Sequence, residues 1–217
     1  MNKNEELEKI KYDVLNLTSS PLYQDRVKNK YFPVIGQGNH DAEIMFIGEA
    51  PGKNEAQQGR PFCGSAGKIL DELLDSVGIK REKVYITNIV KDRPPQNRDP
   101  LPEEIEAYGP FLDRQIEIIQ PKIIVTLGRY SIYYIMQKMG LEKEIQPIGK
   151  MHGNVFENGK FGNLIIKIIP LYHPAATIYN QSLKMVLLED FKKIKKINNI
   201  YKILSFSVLL FHYLVAL

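Results

Sequence analysis

Four short apolar runs decide what this chain can become: residues 43–48, 84–89 (VYITNI), 122–127 (KIIVTL) and 164–169 (LIIKII). Each is apolar on both alternating faces, rich in β-branched residues and too short for a buried helix, the pattern of a strand covered on two sides. Helical periodicity fills the gaps. Leu7, Ile10, Val14 and Leu17 recur at helical spacing over 3–16, which Ser19-Ser20-Pro21 ends. Ile69, Leu70, Leu73 and Leu74 mark a helix over 66–77, stopped by Gly78. Pro102-Glu103-Glu104 puts a proline and two acids in the first turn of a helix to about 119. Gly128 opens another to about 139, and a last helix covers 182–197. Residues 53–59 read as charged loop, 91–102 as rigid proline-rich loop, and 145–162 as irregular chain or a hairpin. Strand–helix alternation of this kind predicts an α/β fold, a three-layer α/β/α sandwich with a central, mainly parallel four-stranded sheet.

A length of 217 residues suits one domain with a full core. Lys and Arg outnumber Asp and Glu by only 29 to 25, a balance that suits a nucleic-acid partner without requiring one. The lone cysteine, Cys63, excludes an internal disulfide and a cysteine-based metal cage, and reads as a small buried residue. His40 and His152 read as surface or hairpin residues rather than ligands. The N-terminus has no apolar leader core, so the expectation is a cytoplasmic protein. The apolar tail ILSFSVLLFHYLVAL, residues 203–217, is shorter than the roughly 20 residues a bilayer span needs. It is read as a terminal helix packed on the core or on a partner, with membrane association as the alternative. The domain is accordingly bounded at 1–200, with 201–217 as a tail of unassigned role.

Chemistry concentrates where strands end. The first run breaks into Gly48-Glu49-Ala50-Pro51-Gly52, then Arg60-Pro61-Phe62 and Gly64-Ser65-Ala66-Gly67 lead into a helix. The second run ends at Asn88 and the fourth in Tyr172-His173-Pro174. In a parallel α/β sheet ligands sit outside the carboxyl ends of the strands, so Glu49, Asn88 and His173 converge on one edge. Small residues there let a ligand approach the backbone.

GEAPGKNEAQQGRPFCGSAGK, YITNIVKDRPPQNRDP and YHPAA, in this order, resemble the uracil-DNA glycosylase superfamily, most closely family 4, over about residues 17–196. The resemblance implies a hydrolase of base excision repair that flips uracil out of DNA into a pocket. It places Gly48, Glu49, Ala50, Pro51, Phe62, Asn88 and His173 around the base. Phe62 would stack on the flipped uracil and Asn88 would read its edge, one amide accepting from N3–H while donating to O4. His173 would support O2 as negative charge builds there. Glu49 would position or deprotonate the attacking water, with Glu55 as a second, lower-ranked carboxylate. Ser65, at a helix N-terminus, together with Lys68 and Arg98, would meet DNA phosphates. Ile178 falls where the family carries an apolar wedge. No lysine stands as a Schiff-base nucleophile, so hydrolysis without strand cleavage is expected. The partner is uracil-containing DNA, met by a monomer with no metal and no membrane attachment.

Family 4 normally carries a four-cysteine iron–sulfur cluster, and its cysteines would fall at Leu17, Ser20, Asp92 and Tyr108. None is cysteine, so no cofactor is expected and the cluster is expected to be absent. Two other readings stay open at this point: a glycosylase for another deaminated base, hypoxanthine or xanthine, and a non-catalytic module that binds DNA or damage.

Overall fold

The computed structural model describes the backbone of residues 2–215 and the side chains of 2–199. The helices are α1 (Lys3–Leu15), α2 (Tyr23–Lys28), α3 (Lys53–Gln58), α4 (Ser65–Ser76), α5 (Pro102–Ile119), α6 (Arg129–Lys138), α7 (Ile148–Met151), α8 (Ala176–Tyr179) and α9 (Ser182–Val215). The strands are β1 (Gln37–Gly38), β2 (Ile44–Gly48), β3 (Tyr85–Asn88), β4 (Ile123–Leu127), β5 (Phe156–Phe161) and β6 (Leu164–Leu171). They form one six-stranded sheet in the order β1-β3-β2-β4-β6-β5. The four inner strands are the parallel set expected from the apolar runs. The expected count of four is corrected by two antiparallel edges, β1 on β3 and β5 on β6.

The alternation of side chains along β2 builds both layers of core. Met45 and Ile47 face α1, α5 and α6, where Ile10, Ile116 and Ile135 are fully buried. Ile44 and Phe46 face α4 and α9, where Leu70, Leu73 and Phe191 close the other side. Phe46 and Phe191 stack with centroids 5.9 Å apart. Burial of each such side chain contributes about 1.5–3 kcal/mol, so the two cores rather than the loops hold the sheet. This is the three-layer sandwich.

One further reading changes, and the hairpin reading of 145–162 holds in part. Residues 53–59 are not a loop: α3 occupies most of them, ended by Gly59 in the left-handed conformation at φ 66°. The 145–162 stretch contains α7 and then β5, which turns at Gly162 into β6. The last helix continues past 197 because no glycine or proline interrupts residues 182–215. The packing expected for the apolar tail lies outside the described side chains. Among the described residues no helix is long and apolar enough to cross a membrane.

Candidate active site

β2, β3 and β6 run parallel to one another and deliver their carboxyl ends to one edge, with Gly48 in register beside Asn88. A cavity of about 430 Å³ opens there, walled by Glu49, Ala50, Pro51, Phe62, Asn88 and His173. Glu55, Ser65, Arg98 and Ile178 also line it, whereas Lys68 is exposed on α4 outside its wall. Gly48 lies beneath: a Cβ there would collide with Asn88 Oδ1 and come within 2.8 Å of the Phe62 ring. Its missing side chain leaves room for the Asn88 amide and the Phe62 ring on the same side of the strand end.

Asn88 is 2% exposed, yet among the described residues none hydrogen-bonds its side-chain amide. The residue as a whole is buried, but its amide atoms are not among the buried polar atoms left without a partner, so they face the cavity, where water or a ligand can satisfy them. Its own backbone is firmly held. Lys91, fully buried, donates to the Asn88 carbonyl at 2.7 Å, to Thr87 Oγ1 at 2.9 Å and to Gln115 Oε1 at 2.6 Å. Burial drives the Lys91 pKa well below its usual value, while these three acceptors match the three donors of an ammonium group. Sequence reasoning missed this lysine because its role appears only when β3 and α5 come together.

The His173 ring is enclosed by protein with one edge open to the cavity, and that desolvation lowers its pKa from 6.5 to about 4. It is therefore neutral at pH 7. Nδ1 lies 3.1 Å from the Ala175 N–H and accepts from it, which leaves the ring proton on Nε2 as a donor. A histidine whose pKa falls on folding stabilises the fold fully above its unfolded pKa. That contribution should be lost as pH drops from about 6.5 through about 4. Denaturant midpoints of the protein and of His173→Gln should converge across this window, and a constant offset would contradict it.

Phe62 is buried and stands at φ 48°, in the left-handed region that non-glycine residues rarely enter. Three contacts hold it there. Glu55 Oε1 accepts the N–H of Cys63 at 3.1 Å and of Gly64 at 2.8 Å, Arg81 Nη2 donates to the Pro61 carbonyl at 2.8 Å, and Gly67 leaves room for the Phe62 carbonyl. The Phe62 and His173 rings lie nearly parallel with centroids 5.7 Å apart. Cys63, in this loop, is only partly buried rather than the buried residue expected.

Glu49 reaches across to the N-terminus of α6, where its Oε1 accepts the Tyr130 N–H at 2.9 Å. Burial raises its pKa above the usual carboxylate range, and that N–H opposes the rise. The nearby Asp99 raises it further. Asp99 bridges to Arg129 Nη2 at 3.0 Å and to Tyr130 OH at 3.2 Å, tying the proline-rich loop to α6. None of Asp99, Arg129 and Tyr130 was expected. The signals for them were the proline-rich motif that contains Asp99 and, for Arg129 and Tyr130, Gly128 opening a helix directly after a strand.

On the rim, Arg98 Nη1 and Nη2 both donate to Glu104, at 2.9 and 2.5 Å, so Arg98 already has a buried carboxylate partner. Ile178 is 51% and Tyr179 91% exposed at the cavity mouth. His152, read as a hairpin or surface residue, is half-buried and paired through Nδ1 with Asp190 at 2.8 Å.

Residues 35–202 match the uracil DNA glycosylase superfamily. The chain belongs to that superfamily. It is 50% identical over 192 residues to the type-4 uracil-DNA glycosylase of Sulfurisphaera tokodaii, covering 88% of this chain and 84% of that protein. It is 52% identical over 164 residues to the type-4 enzyme of Saccharolobus solfataricus, with coverage of 75% and 74%. With that of Archaeoglobus fulgidus it shares 45% over 190 residues, with coverage of 88% and 92%. Membership agrees with the order of the three motifs around the cavity. This member has one cysteine, and among its described residues no cluster of His, Cys, Asp and Glu is placed to hold a metal ion.

Proposed function

We propose that this chain is a monofunctional uracil-DNA glycosylase, which hydrolyses the bond between uracil N1 and the sugar C1′ and leaves an abasic site. The observation that carries the reading is the pairing of an unpartnered Asn88 amide with a neutral, Nε2-protonated His173 in one cavity beside Phe62. The base edge of uracil offers N3–H and O4 to the amide, and O2 to the imidazole donor. As the N1–C1′ bond breaks, its electron pair moves into the ring and charge gathers on O2, facing a donor already in place. Phe62 supplies the stacking face. Water adds to C1′ and gives its proton to Glu49, whose raised pKa makes it a better base than an exposed carboxylate.

Glu55 takes a different part from the one first expected. With its Oε1 spent on Cys63 and Gly64 it is a positioning residue that holds Phe62 in its left-handed conformation. On the DNA side, Ser65 at the start of α4 offers backbone N–H groups to phosphate, Lys68 adds charge nearby, and Ile178 fills the gap left by the flipped base. Arg98 acts first through Glu104, ordering the loop that faces the DNA. The chemistry uses no metal or cofactor, and the protein acts as a monomer.

Gly128 supports this arrangement directly. Its φ is 102°, and a Cβ would sit 2.5 Å from Glu49 Oε1. Gly128→Ala should destabilise the fold by about 1–3 kcal/mol and displace the Glu49 carboxylate, so base release falls even where the variant remains folded. An active, fully stable Gly128→Ala protein would contradict the placement of Glu49.

The reading is tested on a uracil-containing oligonucleotide. Free uracil should appear, the strand should break only after alkali is added, and borohydride should trap no protein–DNA adduct. Strand breaks before alkali, or a trapped adduct, would show lyase chemistry instead. Release from hypoxanthine or xanthine but not uracil would reassign the lesion, and DNA binding without release of any base would indicate a non-catalytic module.

A further inference from the structure

The four positions at which the family resemblance sets cluster cysteines do not fit an iron–sulfur cluster. Leu17 offers no donor, and the hydroxyls and carboxylate of Ser20, Tyr108 and Asp92 are not the thiolates that hold such clusters. Three of the four nevertheless meet, although they are 88 and 16 residues apart in sequence. Ser20 Oγ lies 2.6 Å from Tyr108 OH, and Tyr108 OH lies 2.6 Å from Asp92 Oδ2. Ser20 Oγ also accepts the Leu22 N–H at 3.1 Å. Because Tyr108 has one proton and gives it to Asp92, Ser20 must donate to Tyr108, and the chain runs one way towards the carboxylate.

Arg26 completes it from the other side. Its Nη1 lies 3.3 Å from Asp92 Oδ2, while Nη1 and Nη2 donate to the carbonyls of Val14 at 3.0 Å and Leu15 at 2.7 Å. Ser20, Arg26, Asp92 and Tyr108 are all buried, none more than 6% exposed. A buried network in which each member is satisfied rigidifies what it joins. This one joins the end of α1, the turn before α2, α2 itself, α5 and the first residue of the loop 92–100, whose Pro94, Asn97 and Asp99 border the active-site cavity.

We propose that the Ser20–Tyr108–Asp92–Arg26 network takes the place of the metal cluster in this chain, pinning loop 92–100 to α1, α2 and α5 in its DNA-binding position. These are positioning residues: none lines the cavity, and their effect reaches the DNA through the loop. The inference rests on the cofactor-free reading of the chain, and the two can fail separately.

The test uses the full-length protein, Tyr108→Phe and Asp92→Asn, with Ser20→Ala as the milder change should either fail to fold. Hydrogen exchange should quicken about tenfold in residues 92–100 with little change in β2, β3 and β4, and KM for uracil-containing DNA should rise about tenfold with kcat within about twofold. A generally looser fold would instead speed exchange throughout the sheet. Cysteines introduced together at Leu17, Ser20, Asp92 and Tyr108, with iron and sulfide supplied anaerobically, should give the visible absorption of a cluster and slow loop exchange again. Unchanged loop exchange in folded Tyr108→Phe and Asp92→Asn would overturn the network's role. Stoichiometric iron and sulfide in the purified natural protein would overturn the cofactor-free reading, whatever the exchange shows.

Discussion

Asn88→Ala should lower single-turnover uracil release by about 10²–10³-fold while changing stability by no more than about 1 kcal/mol. The asymmetry follows from what the amide does in the free protein. No described residue hydrogen-bonds the amide, so its removal breaks no protein hydrogen bond, and the amide faces the cavity although the residue as a whole is buried. With uracil bound, the loss leaves N3–H and O4 enclosed without partners, and unpaired polar groups in a closed site are costly. The check is a rate measured at saturating enzyme beside a thermal melt of the same preparation. A large fall in melting temperature would mean that Asn88 is a structural turn residue after all.

Glu49→Gln should cut the rate by about 10²–10⁴-fold and leave the protein equally or more stable at pH 7. The amide oxygen can still accept the Tyr130 N–H, but the carboxylate proposed as the base is gone. The sign of the stability change comes from the raised pKa. A carboxyl group whose pKa rises above 4.5 on folding contributes most stability below 4.5 and loses it as pH climbs through the folded value. At neutral pH the buried carboxylate therefore costs stability, which glutamine relieves. The same shift sets the acid limb of activity above the usual carboxylate range. His173 is already neutral there, so the limb should vanish in Glu49→Gln and persist in His173→Gln. A limb that survived in Glu49→Gln would assign the base elsewhere.

The inner sheet was legible because β2, β3, β4 and β6 bury both faces, which leaves an unmistakable apolar run in each. What escaped lacks that signal for physical reasons. β5 buries only Gly159 of its six residues, while β1 has only two residues. α3 buries a single alanine, Ala56, and the one residue α2 buries is the charged Arg26, so neither shows an apolar stripe. Glu49, Asn88 and His173 could be found because parallel strands must end on one edge. The partners that give them their states could not. Tyr130 and Ala175 act through backbone N–H groups, which any residue carries, and Lys91 meets Gln115 only through the packing of α5 on β3. Glu55 was recognised as important from the motif, but only the structure ties its carboxylate to the loop under Phe62.

The central claim is that Asn88 and His173 form one pocket that binds uracil and stabilises its departure. The most direct measurement is single-turnover base release from a duplex with one uracil, by the natural protein, Asn88→Ala, His173→Ala and the double variant. The account predicts release by the natural protein and a fall of at least about 10²-fold in each single variant, with the double variant losing less than the product of the two. Undiminished release by both single variants would contradict it, since the cavity at the strand ends would then not be where the base is cut.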